Sequence, residues 1–140
     1  MITWNAPVVA GAFATLSPIA GSSSAANGSM TATLAAAAAK LTFIEGFDMT
    51  SGNATVASTQ VIQVTGVANG PLYYDVNVLA NDTISTSAGG GQLSVRFPEP
   101  LPASASNTAI LVVVPALGGG NAAAAVTAYG FQTPLASGQT

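Results

Sequence analysis

From Met30 onward the chain is written in short runs whose apolar residues recur at every second position, each closed by Gly, Pro, Asn or Ser. Period two is the period of a strand with one buried face, and it constrains this chain more than any other feature. Met30 to Leu34 alternates with Thr. Leu41 to Thr50 is longer, and Glu45-Gly46 interrupts its apolar rhythm, which predicts a bulge there. Thr59 to Val67 sets Ile62 and Val64 against Val61, Gln63 and Thr65. Asn69-Gly70 supplies the left-handed residues of a tight turn. Leu72 to Leu79 then sets Tyr74, Val76 and Val78 against Tyr73, Asp75 and Asn77. Gln92 to Phe97 sets Leu93, Val95 and Phe97 against Gln92, Ser94 and Arg96. Ala109 to Val114 is apolar on both faces and reads as a central strand covered twice. Ala124 to Phe131 closes the series.

About seven strands at roughly 8–12-residue spacing predict an all-β fold, an antiparallel β-sandwich of jelly-roll-like or immunoglobulin-like topology. The Gly- and Pro-rich stretches at 87–91, 98–107 and 118–121 read as loops. The alanine run 35–39 is too short for a stable isolated helix and reads as the loop between the first two strands.

Residues 1–29 follow neither period. Their Gly, Pro and Ser content reads as an extended N-terminal arm ahead of a sandwich domain over 30–140. Trp4, Val8, Val9, Phe13, Leu16 and Ile19 are scattered apolar anchors along it, and they are the expected protein interface. Pro7 to Ile19 has some character of a signal h-region, but no Lys or Arg precedes it and Pro18 interrupts it, so no signal peptide is expected.

What such a fold could do is bounded by its polar inventory. Of 140 residues only Lys40, Arg96, Glu45, Asp48, Asp75, Asp82 and Glu99 are charged, for a net charge of −3, and His and Cys are absent. Two cations are too few to hold phosphates or an anionic membrane surface, so neither nucleic acid nor membrane is an expected partner. A spanning helix needs ~20 consecutive apolar residues; the densest stretch, Ala109 to Leu117, is shorter and contains Pro115. Without His or Cys there is no ordinary base for a Ser nucleophile and no thiolate. Glu45 and Asp48, three apart on a strand, face opposite sides unless the bulge turns one. The glycine runs 89–91 and 118–120 lack the Lys and following helix of a phosphate loop. Asn81-Asp82 alone is too little for an oxygen-ligated cation. No catalytic residue, cofactor or metal is expected.

LTFIEGFDMTSGNATVAS, VIQVTGV and LSVRFPEPLPASASNTAILVVVPALGGGNAAAAVTAYGFQ, spanning Leu41 to Gln132, resemble small virion surface proteins of tailed bacteriophages, of the capsid-decoration (cement) type. The resemblance covers about two-thirds of the chain and rests on strand order and loop wording. It implies a β-sandwich on the capsid surface that clamps neighbouring subunits of the major capsid protein, as a homotrimer and without enzymatic activity. The scarcity of charge suits a surface meant to be covered. The alternative is a binding module of a tail fibre or spike that recognises host glycan or protein. A secreted enzyme or adhesin fragment is a third reading, disfavoured by the residue inventory.

Overall fold

The computed structural model describes residues 16–26, 28–52, 58–78, 92–117 and 123–135, and these form eight strands and no helix. In chain order they are β1 (Ser17–Ala25), β2 (Met30–Leu34), β3 (Lys40–Gly52), β4 (Ser58–Thr65), β5 (Leu72–Val78), β6 (Gln92–Pro102), β7 (Ile110–Val114) and β8 (Ala123–Pro134). They make two four-stranded antiparallel sheets, ordered β1-β8-β3-β6 and β2-β7-β4-β5. β1 pairs with β8, β2 with β7, β3 with β6 and β4 with β5. This is one long hairpin folded over into two layers, the winding of a jelly roll. It resolves the choice between the two sandwich topologies.

The inner faces carry the predicted apolar sets. Ile44, Phe47, Met49, Val126 and Ala128 on one sheet meet Met30, Leu34, Ile62, Val64, Ile110, Val112 and Val114 on the other, all buried. Each large side chain so buried contributes about 1.5–3 kcal/mol. The bulge falls where Glu45-Gly46 placed it, with the register of β3 shifting between Ile44 and Gly46. On the β6 side the interruption is larger. Ile44 pairs with Leu101 and Gly46 with Arg96, so Phe97 to Pro100 bow out opposite Glu45 alone.

Three expectations need correction. Ser17–Ala25, read as the second half of an arm, is a nine-residue strand paired along β8 from Ser17↔Gln132 to Ala25↔Ala124. The sandwich therefore has eight strands among the described residues, and one of them begins well before residue 30. The strand is invisible to hydropathy because its inward positions are Ile19, Gly21, Ser23 and Ala25, and small residues are required there. A Cβ on Gly21 would lie 2.0 Å from the Thr33 carbonyl oxygen of β2. β1 and β2, edge strands of different sheets, thus touch backbone to backbone and close that flank.

Second, β6 runs on through Pro98, Pro100 and Pro102, which read as loop. Prolines are tolerated because β6 is an edge strand whose outer amides need no ladder partner. Its end crosses between layers. Pro102 pairs with Phe43 in one sheet, and Ala103 bridges Val67 beside the other. Third, β7 is central in its sheet, but only Ile110, Val112 and Val114 are buried; Leu111 and Val113 are half-buried on the outer face.

The 35–39 segment is a loop, as expected. Gln132 fixes it: its Nε2 donates to the Ala35 carbonyl at 2.7 Å and to Thr42 Oγ1 at 3.2 Å, satisfying a buried amide. Asn69 takes the left-handed conformation (φ 62°) in the β4–β5 turn.

Candidate functional site

An antiparallel sheet displays its outward positions as rows running across the strands. The outer face of the β1-β8-β3-β6 sheet shows four such rows, the last of them Ser24, Ala125, Thr50 and Gln92. Pro18, Phe131, Phe43 and Pro102 form one, with the two Phe rings stacked at 4.9 Å. In the next, Arg96 lies with its guanidinium carbon 4.4 Å from the centre of the Tyr129 ring, and that ring crosses the bare backbone of Gly46. A Cβ at Gly46 would come within 2.7 Å of the Tyr129 hydroxyl oxygen, which is buried and has no hydrogen-bond partner among the described residues. In the third, Asp48 accepts hydrogen bonds from Ser94 Oγ at 2.5 Å and from Arg96 at 3.1 and 3.2 Å. With both ionic partners exposed, the pair is worth about 0–1 kcal/mol. Arg96 is thus used three times, on Asp48, on Tyr129 and on the Val95 carbonyl, to which it donates at 3.1 Å. This face braces the sheet and leaves its cation engaged.

The outer face of the other sheet differs. Thr31, Val113, Gln63 and Tyr73 form one row; Thr33, Leu111 and Thr65 form another; Val61 faces Asp75 in a third. Asp75 is the one charge among these positions. Among the described residues the exposed large apolar side chains are Tyr73 (62%), Val61 (47%) and Leu16 (46%), and the first two lie on this face. Gln63 Nε2 donates to the Tyr73 hydroxyl at 3.3 Å, holding that ring upright at the sheet's rim. The alternation in Leu72 to Leu79 already pointed Tyr73 outward. Val61 was legible on the same face as Gln63, but its sequence neighbours gave no sign that it would join a platform with a single charge.

Among the described residues no group of three or more His, Cys, Asp and Glu could hold a metal ion. Glu45 is exposed at the bulge, and Asp48 is bound to Arg96 and Ser94. An open recess lined by Ser24, Thr50, Ser51, Gly52, Ala124 and Ala125 carries no ionisable group. Asp82 and the glycine runs 89–91 and 118–120 lie outside the described residues.

Of the six arm anchors, Trp4, Val8, Val9 and Phe13 also lie outside the described residues. Leu16 is exposed just before β1. Ile19 packs against the core from β1, opposite Gly130, and so belongs to the body of the sandwich. Comparison with protein-family models, curated proteins and solved structures finds no match for this chain.

Proposed function

We propose that this protein is a non-enzymatic structural component of a tailed-bacteriophage virion. It sits on the capsid surface, as a homotrimer, and stabilises the shell by binding neighbouring subunits of the major capsid protein. The observation that carries the reading is the outer face of the β2-β7-β4-β5 sheet, broad and built from Thr, Val, Leu, Gln and Tyr with a single carboxylate. Such a face has little charge to desolvate, so covering it gains roughly 25 cal/mol per Å² of apolar area before ordering costs. Repetition over many copies multiplies a modest contact. The jelly-roll winding agrees with this use, since capsid domains employ it; lectin domains do too, so the winding alone does not choose. Trp4, Val8, Val9 and Phe13 add a second attachment in this reading, as apolar anchors on a neighbour.

The test is stoichiometry in purified particles, by quantitative mass spectrometry. A copy number comparable to that of the capsid subunit is expected. A few copies per particle, or none, would overturn the proposal. Removing residues 1–15 is expected to leave cooperative melting intact and to weaken rebinding to particles stripped of the protein.

One observation favours the tail-fibre or spike reading. Tyr73 offers an exposed ring beside the Gln63 amide, the pairing of aromatic face and hydrogen-bonding group that saccharides use. Saccharide binding lost in Tyr73→Ala, together with a low copy number, would decide for it.

A further inference from the structure

A sandwich of two open sheets has four edge strands, and each presents unpaired backbone groups unless something blocks them. Here two cover one another and a third is interrupted. β1 and β2 cover one another, with Gly21 against the Thr33 carbonyl. β6 carries Pro98, Pro100 and Pro102 and the bowed segment between Arg96 and Leu101, which leaves a regular stretch of only five residues, Gln92 to Arg96. β5 has none of these devices. Its seven residues, Leu72–Val78, contain no Pro, Gly or Lys, and they pair with β4 in an unbroken register from Ser58↔Val78 to Val64↔Leu72. Among the described residues its other side has no strand partner.

The side chains beside that edge are prepared on both faces. Inward, Tyr74 and Phe97 meet edge to face at 6.3 Å across the gap between the sheets, both only partly buried. Outward, Asp75 stands exposed at the centre of β5.

We propose that β5 is a docking edge for an extended segment of a different protein, which adds to the sheet as a fifth strand. The segment's inward residues are apolar and cover Tyr74 and Phe97, and the residue facing Asp75 is Lys or Arg. A second copy of this chain does not fit. Centred antiparallel pairing of β5 with itself sets Asp75 against Asp75, and like charges directly opposite are destabilising. Neither of the chain's two cations lies on β5: Lys40 opens β3, and Arg96, in β6, is paired with Asp48 of β3. Backbone bonds supply the affinity in strand addition, and alternate side chains supply the choice of partner. The inference rests on the assembly role proposed above for the kind of partner, while the edge itself does not depend on a capsid.

The test uses the full chain and a labelled peptide as long as β5, alternating Val and Thr with Lys at its centre. Fluorescence anisotropy is expected to show binding, about fivefold weaker when Glu replaces that Lys, the scale of a cross-strand charge pair. Asp75→Asn is expected to make the two peptides bind alike. N-methylation of alternate peptide residues is expected to abolish binding, and hydrogen exchange is expected to slow in residues 72–78. No binding of the Lys peptide, equal binding of both peptides to the unaltered protein, or protection confined to other strands would each overturn the proposal. Particle stoichiometry separates the two readings. High copy number with no peptide binding removes only the edge, and peptide binding with absence from particles removes only the capsid.

Discussion

The two flanks of the sandwich meet the same difficulty with opposite chemistry. At the β1/β2 flank the inward residues of β1 beyond Ile19 are small, Gly21, Ser23 and Ala25, and at Gly21 two backbones come into contact across the layers. At the β5/β6 flank they are large, and Tyr74 and Phe97 fill the opening with ring edges while the sheets stand apart. Closure by small residues leaves no room for an added atom. Closure by aromatic side chains leaves a margin that another strand can occupy. One fold thus holds a sealed side and a receptive side, and the size of the inward residues of β1 and β5 marks the difference in the sequence.

The contrast can be broken first at the sealed flank. Deleting residues 1–25 removes the nine-residue partner of β8 and bares β2. The expected result is loss of cooperative unfolding, followed by circular dichroism during heating; a sharp transition at the original temperature would show that β1 is dispensable. Gly21→Val is the single-residue version. Its side chain meets the Thr33 backbone, which cannot yield as a flexible side chain could, so a loss of about 3 kcal/mol is expected. Urea midpoints measure it, and an unchanged midpoint would mean that the flank is looser than described.

At the receptive flank the effects are smaller. Tyr74→Ala removes a ring that packs on Phe47 at 5.4 Å and on Phe97, at an expected cost of about 2 kcal/mol, below that of a fully buried aromatic. Burial raises the Tyr74 phenol above its ordinary 10.0. The unfolded chain then releases this proton at lower pH than the folded one, so the phenol's contribution is intact below pH 10 and is lost as pH rises through the higher folded value. Stability measured against pH is expected to fall in that alkaline range, and Tyr74→Phe is expected to reduce the fall; identical curves for the two proteins would reject this origin. Smallest is Asp75→Asn, expected to shift the free energy of unfolding by less than about 0.5 kcal/mol because the carboxylate is exposed. A larger shift in a thermal melt would give Asp75 a structural role within the single chain.

Which parts of this were legible in the sequence follows from side-chain size. β2 to β5 and β8 announced themselves because apolar residues alternate with small or polar ones, and β7 because it is a short unbroken apolar run. The bulge was legible because Glu45 and Gly46 suit neither face of a regular strand. β1 was hidden by the same feature that makes it fit, since Gly21, Ser23 and Ala25 carry almost no hydropathy signal. The end of β6 was hidden because Pro98, Pro100 and Pro102 forbid a central strand, and only the strand order makes this an edge. Val113 was overread as buried, since apolar type does not report which face is covered. For the candidate site, the outward aim of Tyr73 and Asp75 was readable from period two. That β5 is an edge depends on pairings between residues far apart in the chain, and no local pattern encodes it.

The nested pairing also sets an order of events in time. Closing the β4–β5 hairpin spans one short turn at Asn69, whereas joining β1 to β8 brings Ser17 to Gln132 across nearly the whole chain. Loop-closure entropy rises with that span, and topologies dominated by distant contacts fold slowly, in milliseconds to seconds. We expect nucleation at β4–β5 and β7, with β1 arriving last. Pulse-labelled hydrogen exchange would report this as late protection of Ser17–Ala25, and protection of β1 before β4 would contradict it. A newly made copy would then pass through a stage with its receptive edge already formed and its opposite flank still unsealed, so the chance to capture a partner precedes the completion of the fold.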